Sequence, residues 1–281
     1  MEQEKLERVQ QEVNQVIQGK SDVVRKVFAA MLAGGHILME DIPGVGKTTL
    51  ATTFAKTLDL RYHRVQFTPD VLPSDILGFS MYQNKIGEFE FHPGSIFCNL
   101  FLADEINRTS PKTQSALLEV MEERQASVEG KTWALPDPFF VIATQNPSGS
   151  SGTQFLPESQ LDRFMICLSM GYPSHQDAVS ILKGEVWKQA QERRRVLTAE
   201  ELKQLQKETE QIYVHDAVYD YIMRPDSESD RLAPPNAVLE ITAPETVVVN
   251  ISAVVYLREA EIGDVQNDLK AALQSYLLNV S

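Results

Sequence analysis

The glycine-rich stretch EDIPGVGKTT contains the residue types that binding of a triphosphate requires. Gly44 and Gly46 let the backbone curl so that several N–H groups converge on phosphate oxygens. Lys47 supplies charge for the β and γ phosphates, and Thr48 supplies a hydroxyl for Mg²⁺. Asp41 stands where the common G-x-x-x-x-G-K-[ST] pattern has its first glycine, and a non-glycine fits there if its backbone stays extended. The stretch predicts a phosphate-binding loop; the alternative interpretation is a surface turn that contains GKT by chance.

Two adjacent acids end an apolar run in IFCNLFLADEINRTSP. A strand that ends in this way places Asp104 near a metal ion on Thr48 and turns Glu105 toward a water molecule, which is the arrangement that hydrolysis requires. The alternative is an acidic strand end before a helix whose N-terminus favours negative charge. The position of these acids downstream of the GKT loop favours the first interpretation.

Two further polar residues complete the candidate site. FFVIATQNPSG places Asn146 at the end of another apolar run, where its amide would orient the attacking water. An Asn-Pro turn explains the same residues by conformation alone, and both explanations can hold together. In LPESQLDRF, Arg163 is a candidate to neutralise transition-state charge in a neighbouring subunit. A surface salt bridge from Arg163 to Asp162 or Glu158 is the alternative.

The elements that position these residues alternate between strands and helices. Residues 4–33 predict two amphipathic helices separated by a break at Gly19, and HILME predicts a short strand before the glycine-rich loop. The helix-forming stretch TTLATTFAKTL follows the loop, and the apolar runs at 100–103 and 139–143 predict two more strands. This alternation predicts a parallel α/β sheet with its working residues at the carboxyl ends of the strands.

The composition of the chain excludes several function classes. Its 281 residues are 43% hydrophobic and 23% charged, as in a globular protein. The 26 basic and 39 acidic residues give a net charge of −13, so we expect no nucleic-acid partner. No apolar run approaches a membrane span and the charged N-terminus has no signal-peptide core, so we expect a cytoplasmic location. Cys98 and Cys167 are expected to be reduced, buried thiols.

In this order, the motifs resemble those of the AAA+ ATPases, and specifically those of the MoxR family. The resemblance covers about residues 1–222 and is most specific over 34–173. It is carried by EDIPGVGKTTLA, QFTPDVLPSDILGF, FHPGSIFCNLFLADEINRTSPKTQSALLEVMEERQ and FFVIATQNPSGSSGTQFLPESQLDRF. The implied fold is an AAA+ P-loop NTPase of the α/β class, with a central parallel sheet flanked by helices. In this family a residue such as Asp41 at the start of the loop is ordinary.

The resemblance implies a role for each candidate site residue. Glu105 would be the catalytic glutamate, Asn146 the first sensor and Arg163 the arginine finger. Thr48 and Asp104 would hold Mg²⁺. The implied contacts with ATP lie in two groups. The contacts beside the adenine are Val16, Ile17 and Gly19. The contacts around the phosphates are Pro43, Gly44, Val45, Gly46, Lys47, Thr48 and Thr49.

The resemblance also implies an assembly and a cellular role. Members are thought to be hexameric, chaperone-like ATPases that use ATP and Mg²⁺ on client complexes, often with a von Willebrand factor A domain partner. Two insertions typical of the family fit the sequence: one turns at Gly87, and the other is a hairpin with Gly130 and Lys131 at its tip. The sequence leaves open whether they grip a client or only cover the core. A DNA-directed motor and a tetrapyrrole chelatase subunit remain alternatives, the first disfavoured by the acidic charge balance.

The chain departs from the family pattern after about residue 222. We expect four regions: a nucleotide-binding domain over 1–173, a partial helical lid over 174–222, a linker over 223–236 and an atypical βα segment over 237–281. The last region weakly resembles a segment of baseplate J-like phage tail proteins. No Ser-Pro-Arg motif supports Arg224, Arg231 or Arg258 as a second sensor. The alternative function is therefore a nucleotide-binding interaction module with impaired hydrolysis.

Overall fold

The computed structural model describes residues 2–42, 44–84, 87–146, 156–172, 195–214, 238–240 and 250–252. The chain divides into two units, Met1–Tyr213 and Val214–Ser281. Pro43, one of the predicted phosphate contacts, lies outside the described residues, as do the predicted boundaries at 173, 222 and 236. The four-region division therefore stays a prediction.

A five-stranded parallel sheet forms the centre of the first unit. In chain order, the strands of this unit are β1 (Ile37–Glu40), β2 (Tyr62–Gln66), β3 (Gly78–Gln83), β4 (Glu88–Pro93), β5 (Leu100–Asp104), β6 (Gln125–Val128), β7 (Lys131–Ala134), β8 (Phe140–Gln145) and β9 (Ile166–Leu168). The central sheet has the order β2-β5-β8-β1-β9. Its parallel pairing brings the carboxyl ends of β5, β8 and β1 side by side, as the alternation in the sequence predicts.

Helices flank the sheet and begin at recognisable signals. In chain order they are α1 (Glu2–Asn14), α2 (Ser21–Leu32), α3 (Lys47–Thr57), α4 (Pro73–Leu77), α5 (Pro111–Glu123), α6 (Glu158–Leu161) and α7 (Ala199–Glu210), with a 3₁₀ turn at Ile106–Arg108. Ser110 caps α5 by accepting the Thr113 N–H, and Pro111 occupies the first turn. Thr198 and Glu201 form a capping box at the start of α7. The two helices predicted within 4–33 and the helix after the glycine-rich loop are confirmed.

The core consists of two apolar layers, one on each face of the sheet. Alternate strand residues separate between them: Ile37 and Met39 belong to one layer, and Leu38 belongs to the other. The first layer packs against α1, α2, α3 and α7, and the second against α4 and α5. Each fully buried aliphatic or aromatic side chain contributes about 1.5–3 kcal/mol by leaving water. This two-sided burial holds the strand ends, and the polar residues that follow them, in fixed relative positions.

Two antiparallel hairpins extend from the central sheet. Strand β3 pairs with β4 around a turn that contains Gly87, and β6 pairs with β7 around Glu129 and Gly130. Both turn residues of the second hairpin have left-handed backbones, with φ of 52° and 75°, as a two-residue hairpin turn requires. The Phe91 and Trp133 rings stack with centroids 4.2 Å apart and so join the hairpins. The turn predicted at Gly87 and the hairpin predicted around Gly130 are confirmed, but the second turn is formed by Glu129 and Gly130, and the predicted tip residue Lys131 begins β7.

Two expectations need correction. Cys98 is buried, but Cys167 is exposed, because within the described part of the chain β9 is an edge strand that pairs only with β1. Helix α7 ends at Glu210, although the sequence pattern predicts helix as far as 222. After the C-cap residue Gln211, the residues Ile212 to Val214 are β-branched or aromatic and have weak helix propensity. Residues 215–222 lie outside the described part of the chain.

The second unit contains one described strand pair. β10 (Val238–Glu240) and β11 (Asn250–Ser252) are antiparallel, with Leu239 opposite Ile251. This pair agrees with the strands that the β-branched sequence predicts there.

Candidate functional site

The glycine-rich loop connects β1 to α3 and has the conformation that the sequence predicts. Gly44 and Gly46 have φ of 88° and 100°, in the left-handed region that favours glycine. A Cβ atom on Gly44 would meet no atom within 4 Å, so backbone conformation rather than crowding calls for glycine there. Lys47 is the first residue of α3, and Thr48 and Thr49 lie in its first turn. The loop therefore ends at a helix N-terminus, where backbone N–H groups and the helix dipole favour an anion.

The Lys47 ammonium lies inside this loop. It donates hydrogen bonds to the backbone oxygens of Asp41 and Ile42, at 2.7 and 3.3 Å. Burial lowers the pKa of Lys47 because it disfavours the charged form. Three carboxylates oppose that shift in pKa by their negative charge, and they are Asp41, Asp104 and Glu105. Lys47 and the two acids at the end of β5 therefore share one electrostatic environment.

Thr144 joins the ends of β5 and β8 through one buried hydroxyl. Its Oγ1 donates to Asp104 Oδ1 at 2.7 Å and accepts the Glu105 N–H at 2.8 Å. The other carboxylate oxygen of Asp104 pairs with Arg64 Nη2 on β2, also at 2.7 Å. Asp104 is therefore held from both neighbouring strands. Asp104 is evident from the sequence pattern, whereas Thr144 and Arg64 belong to no motif that identifies them.

The backbone at Glu105 turns sharply after β5. Its φ of 58° is left-handed, which is uncommon for a residue with a side chain and clusters at functional sites. The Glu105 carboxylate accepts a hydrogen bond from Arg108 Nη1 at 2.7 Å. The turn thus directs Glu105 away from the line of the strand, and Arg108 in the following 3₁₀ turn holds its side chain.

Asn146 follows β8, the strand between the acids and the glycine-rich loop. Its backbone oxygen accepts a hydrogen bond from Asn107 Nδ2 at 3.3 Å. The preceding residue, Gln145, donates to the Glu40 carboxylate at the end of β1, and its backbone oxygen accepts the Asp41 N–H at 3.2 Å. The structure therefore places the predicted first sensor at the same sheet edge as the loop and the acids.

Arg163 lies elsewhere in the unit. Its guanidinium pairs with Glu122 at 3.0 Å and donates to the Ser159 backbone oxygen at 2.8 Å. The predicted salt bridge of Arg163 therefore has Glu122 as a partner in place of Asp162, and the side chain of Glu158, the other predicted partner, lies outside the described part of the chain. Glu122 is in the last turn of α5, whereas Asp104 and Glu105 precede its first turn. The structure therefore does not bring Arg163 to the site formed by Lys47 and the acids.

The predicted adenine contacts lie at the end of α1. Val16 and Ile17 are each 5% exposed and belong to the apolar layer against which Val45 of the loop packs. Gly19 has a left-handed backbone with φ of 70°, as a break between two helices favours. Contact of these residues with adenine stays a prediction, supported by their sharing an apolar layer with the phosphate loop.

The Asp41 side chain makes contacts that the glycine-rich motif does not predict. Its backbone stays outside the left-handed region, so a glycine is unnecessary, as expected. Its carboxylate, 4% exposed, accepts hydrogen bonds from Ser169 Oγ, the Met170 N–H and the Gly171 N–H at 2.7, 2.5 and 3.0 Å. No local pattern announces these partners, because they follow β9, far along the chain.

Comparisons with known proteins identify the family. The ATPase family associated with various cellular activities (AAA) matches residues 36–166. Chaperone MoxR1 of Mycobacterium tuberculosis is 42% identical over 221 residues, and the uncharacterized protein YeaC of Bacillus subtilis is 49% identical over 212 residues. The chain belongs to the MoxR family of AAA+ ATPases.

A solved structure is also similar to this chain, and the similarity to the relatives covers only part of their length. A provisionally assigned ATPase from Cytophaga hutchinsonii has a TM-score of 0.68 and 37% sequence identity, over 78% of this chain and 67% of that one. The chain spans 66% of the length of YeaC and 58% of MoxR1, and these matches cover 75% and 78% of this chain. The AAA+ fold is thus confirmed. The phage-tail resemblance of residues 237–281 is unsupported.

The residues of this MoxR-family site fit ATP with Mg²⁺. The loop supplies the left-handed glycines, Lys47 and the first turn of α3, and Asp104 supplies a carboxylate that is 14% exposed. Within the described residues there is no cluster of three or more His, Cys, Asp or Glu that could hold a metal alone. Mg²⁺ suits such a site, because it takes one or two protein ligands together with substrate phosphates. In the described part of the chain, no helix has the length and apolar character of a membrane span.

Proposed function

We propose that this MoxR-family protein binds ATP with Mg²⁺, hydrolyses it, and uses the cycle for chaperone-like remodelling of a client complex. One observation carries the proposal. The hydrogen-bonded group Asp104–Thr144–Glu105 lies at the carboxyl ends of β5 and β8, in the electrostatic environment of Lys47. Phosphoryl transfer requires such a combination of a phosphate-binding cation, a metal-binding carboxylate and a water-orienting carboxylate.

Each side chain has a separate task in the proposed reaction. Lys47 and the loop N–H groups bind the phosphates, and Thr48 and Asp104 are the ligands available to Mg²⁺. When bound, Mg²⁺ neutralises charge that develops on the phosphate oxygens. Glu105 polarises the attacking water, and Asn146 orients it. The left-handed turn at Glu105 and the hydroxyl of Thr144 keep these groups in place before substrate arrives.

A ring assembly would complete this site. Arg163 lies at the opposite end of α5 from the acids, so it can reach a nucleotide only in a neighbouring subunit if it serves as an arginine finger. This geometry supports a homo-oligomer, and the resemblance to the family favours a hexameric ring. A von Willebrand factor A domain protein is the proposed partner, by the same resemblance.

The first hairpin offers a surface for the client. Phe79, Tyr82 and Phe89 are 49%, 51% and 65% exposed, although aromatic side chains of this size usually contribute to cores. Exposed aromatic groups on a projecting hairpin favour contact with a polypeptide. They support the interpretation that the insertions grip a client, in line with a relative named chaperone MoxR1.

Nucleotide binding tests the site assignment. We expect Lys47→Ala to abolish ADP and ATP binding in titration calorimetry, because it removes the buried cation of the loop. The matched control is Lys56→Ala, an exposed lysine near the end of the same helix. Equal affinities for wild type and Lys47→Ala would contradict the assignment.

The concentration dependence of turnover tests the ring. We expect the specific rate of phosphate release to rise with protein concentration and Arg163→Ala to remove that rise while nucleotide binding persists. Retained binding without phosphate release at any concentration would favour the alternative, an interaction module with impaired hydrolysis.

A further inference from the structure

A buried carboxylate ties the phosphate loop to the segment that follows β9. We call residues 169–172 the β9-exit loop. The Asp41 carboxylate accepts hydrogen bonds from three consecutive residues of this loop, Ser169, Met170 and Gly171. Asp41 is 4% exposed, so its negative charge depends on these donors in place of water. The contact therefore holds two segments 128 residues apart in sequence.

The backbone of Asp41 belongs to the catalytic end of the sheet. Its N–H donates to the Gln145 oxygen, one residue before Asn146, at 3.2 Å. Its carbonyl oxygen accepts from Lys47 Nζ at 2.7 Å. A displacement of the Asp41 side chain would therefore act on both the phosphate-binding lysine and the end of β8. No other interaction of Asp41 is needed for this link.

The β9-exit loop also contacts the rest of the predicted nucleotide site. Met170 is 4% exposed and belongs to the apolar layer that contains Val16 and Ile17. Its methyl carbon lies 3.8 Å from the position that a Cβ on Gly46 would take. Lys20, next to Gly19, donates to the Tyr172 backbone oxygen at 2.7 Å. The loop thus lies against both the phosphate end and the proposed adenine end of the site.

We propose that Asp41 is a positioning residue that couples nucleotide binding at the phosphate loop to the conformation of the β9-exit loop. This inference rests on the proposed function, and it assigns a purpose to the replacement of the first glycine of the loop. Because Asp41 carries both the carbonyl that Lys47 contacts and the carboxylate that holds residues 169–171, rearrangement of one contact alters the other. Coupling of this kind is reciprocal: fixing the β9-exit loop strengthens nucleotide binding, and bound nucleotide fixes the β9-exit loop.

A purely structural clamp makes a different prediction. Loss of such a clamp would lower the stability of the protein without nucleotide and leave its intrinsic affinity unchanged. A coupling residue changes the affinity itself, and with it the increase in melting temperature that nucleotide produces. Affinity measured on the folded protein therefore separates the two.

The test uses titration calorimetry of the full chain with ADP and Mg²⁺, a pair that is not consumed. In Asp41→Asn the amide keeps the size of the side chain, but it removes the negative charge and replaces one of the two acceptor oxygens with an NH2 group that cannot accept a hydrogen bond. We expect an affinity about tenfold weaker than wild type, the equivalent of one charge-assisted hydrogen bond. Asp41→Gly, which restores the common loop sequence, is expected to weaken binding to a similar extent. Wild-type affinity in both variants would overturn the proposal.

The exposed partner Ser169 supplies variants that keep the fold even if those at Asp41 do not. Ser169→Ala removes one donor, and we expect about threefold weaker binding, whereas Ser169→Thr keeps the hydroxyl and wild-type affinity. In the Asp41→Asn background, Ser169→Ala should have no further effect. Equal affinities for Ser169→Ala and Ser169→Thr, or a full additional effect in the double variant, would refute the coupling.

Wild type and Lys47→Ala are measured in the same experiment. Binding by neither would mean that the proposed nucleotide site is wrong. Binding by wild type, loss in Lys47→Ala and no change in the Asp41 and Ser169 variants would mean that the site is right and the coupling is wrong.

Discussion

Replacing Thr144 with valine removes a single buried hydroxyl from the centre of the proposed catalytic group. Valine has nearly the volume of threonine, so the change leaves no cavity. The hydroxyl donates to the Asp104 carboxylate at 2.7 Å and accepts the Glu105 N–H at 2.8 Å, and Thr144 is 0% exposed. The variant loses one charge-assisted hydrogen bond and leaves one N–H without its acceptor. Together these losses predict a decrease of about 2–4 kcal/mol in the free energy of unfolding.

The same change should affect turnover more than binding. Among the described residues, the Asp104 carboxylate then keeps one side-chain partner, Arg64 on β2, and the left-handed turn at Glu105 loses its anchor. Removal of a residue that orients a metal ligand typically costs about 10- to 100-fold in activity. We therefore expect kcat for phosphate release to fall within that range, while ADP affinity changes little, because the loop and Lys47 are untouched.

Thr144→Ser provides the matched control for both measurements. It keeps the hydroxyl and loses one buried methyl group, which costs about 1 kcal/mol. Denaturant unfolding gives the stability of each variant, and a steady-state phosphate-release assay gives kcat. If the valine and serine variants had the same stability and the same kcat, the hydroxyl would have no role in holding Asp104 and Glu105, and the reasoning would be refuted.

Three further predictions concern the pH dependence of stability, the Mg²⁺ requirement and the hairpins. Burial lowers the pKa of His36 from 6.5 to about 4, so the unfolded chain binds a proton at a higher pH than the folded protein does. The free energy of unfolding therefore has its full value above pH 6.5 and decreases by about 3 kcal/mol as the pH falls toward 4. Denaturant unfolding at several pH values should show this decrease, and His36→Gln should reduce the slope of the free energy of unfolding against pH. An unchanged slope in His36→Gln would contradict the prediction. Arg64 is 42% exposed, so Arg64→Gln should change stability by less than about 1 kcal/mol. Arg64→Gln should also lower the Mg²⁺ concentration that gives half-maximal turnover, because it removes a cation that competes with Mg²⁺ for Asp104. Arg195→Gln is the control, and an unchanged Mg²⁺ dependence in Arg64→Gln would contradict the prediction. Trp133→Ala removes the ring that stacks on Phe91 and should increase protease cleavage within the two hairpins. The control is Tyr213→Ala, which replaces an exposed aromatic residue. Equal cleavage of the two variants would mean that the ring stack does not hold the hairpins together.

Local sequence patterns predicted the elements of the site. The apolar runs and the spacing of Gly44, Gly46 and Lys47 predicted a strand, a loop and a helix, because backbone conformation and periodicity are local properties. The two acids at the end of β5 and Asn146 after β8 were predicted as strand-end residues for the same reason. Their common location at one sheet edge follows from the parallel alternation of strands and helices.

The partners of these residues could not be predicted in the same way. Thr144 lies 40 residues from Asp104, Glu122 lies 41 residues from Arg163, and Ser169 lies 128 residues from Asp41. Each pair depends on the strand order β2-β5-β8-β1-β9 or on helix packing, which no short motif encodes. Nearby charges suggest Asp162 or Glu158 as partners of Arg163, whereas Glu122 comes beside it only through the fold. The exposure of Cys167 could not be predicted for the same reason, because the order of the strands decides which of them lie at an edge of the sheet.

The central claim is that Glu105 performs hydrolysis at a site that binds ATP independently of it. The most direct measurement compares wild type, Glu105→Gln and Glu119→Gln for both ATP binding and phosphate release. Glu119→Gln is the matched control because Glu119 is an exposed acid on α5. We expect that all three proteins bind ATP, that wild type and Glu119→Gln release phosphate, and that Glu105→Gln releases none above background. Phosphate release by Glu105→Gln at the wild-type rate would contradict it.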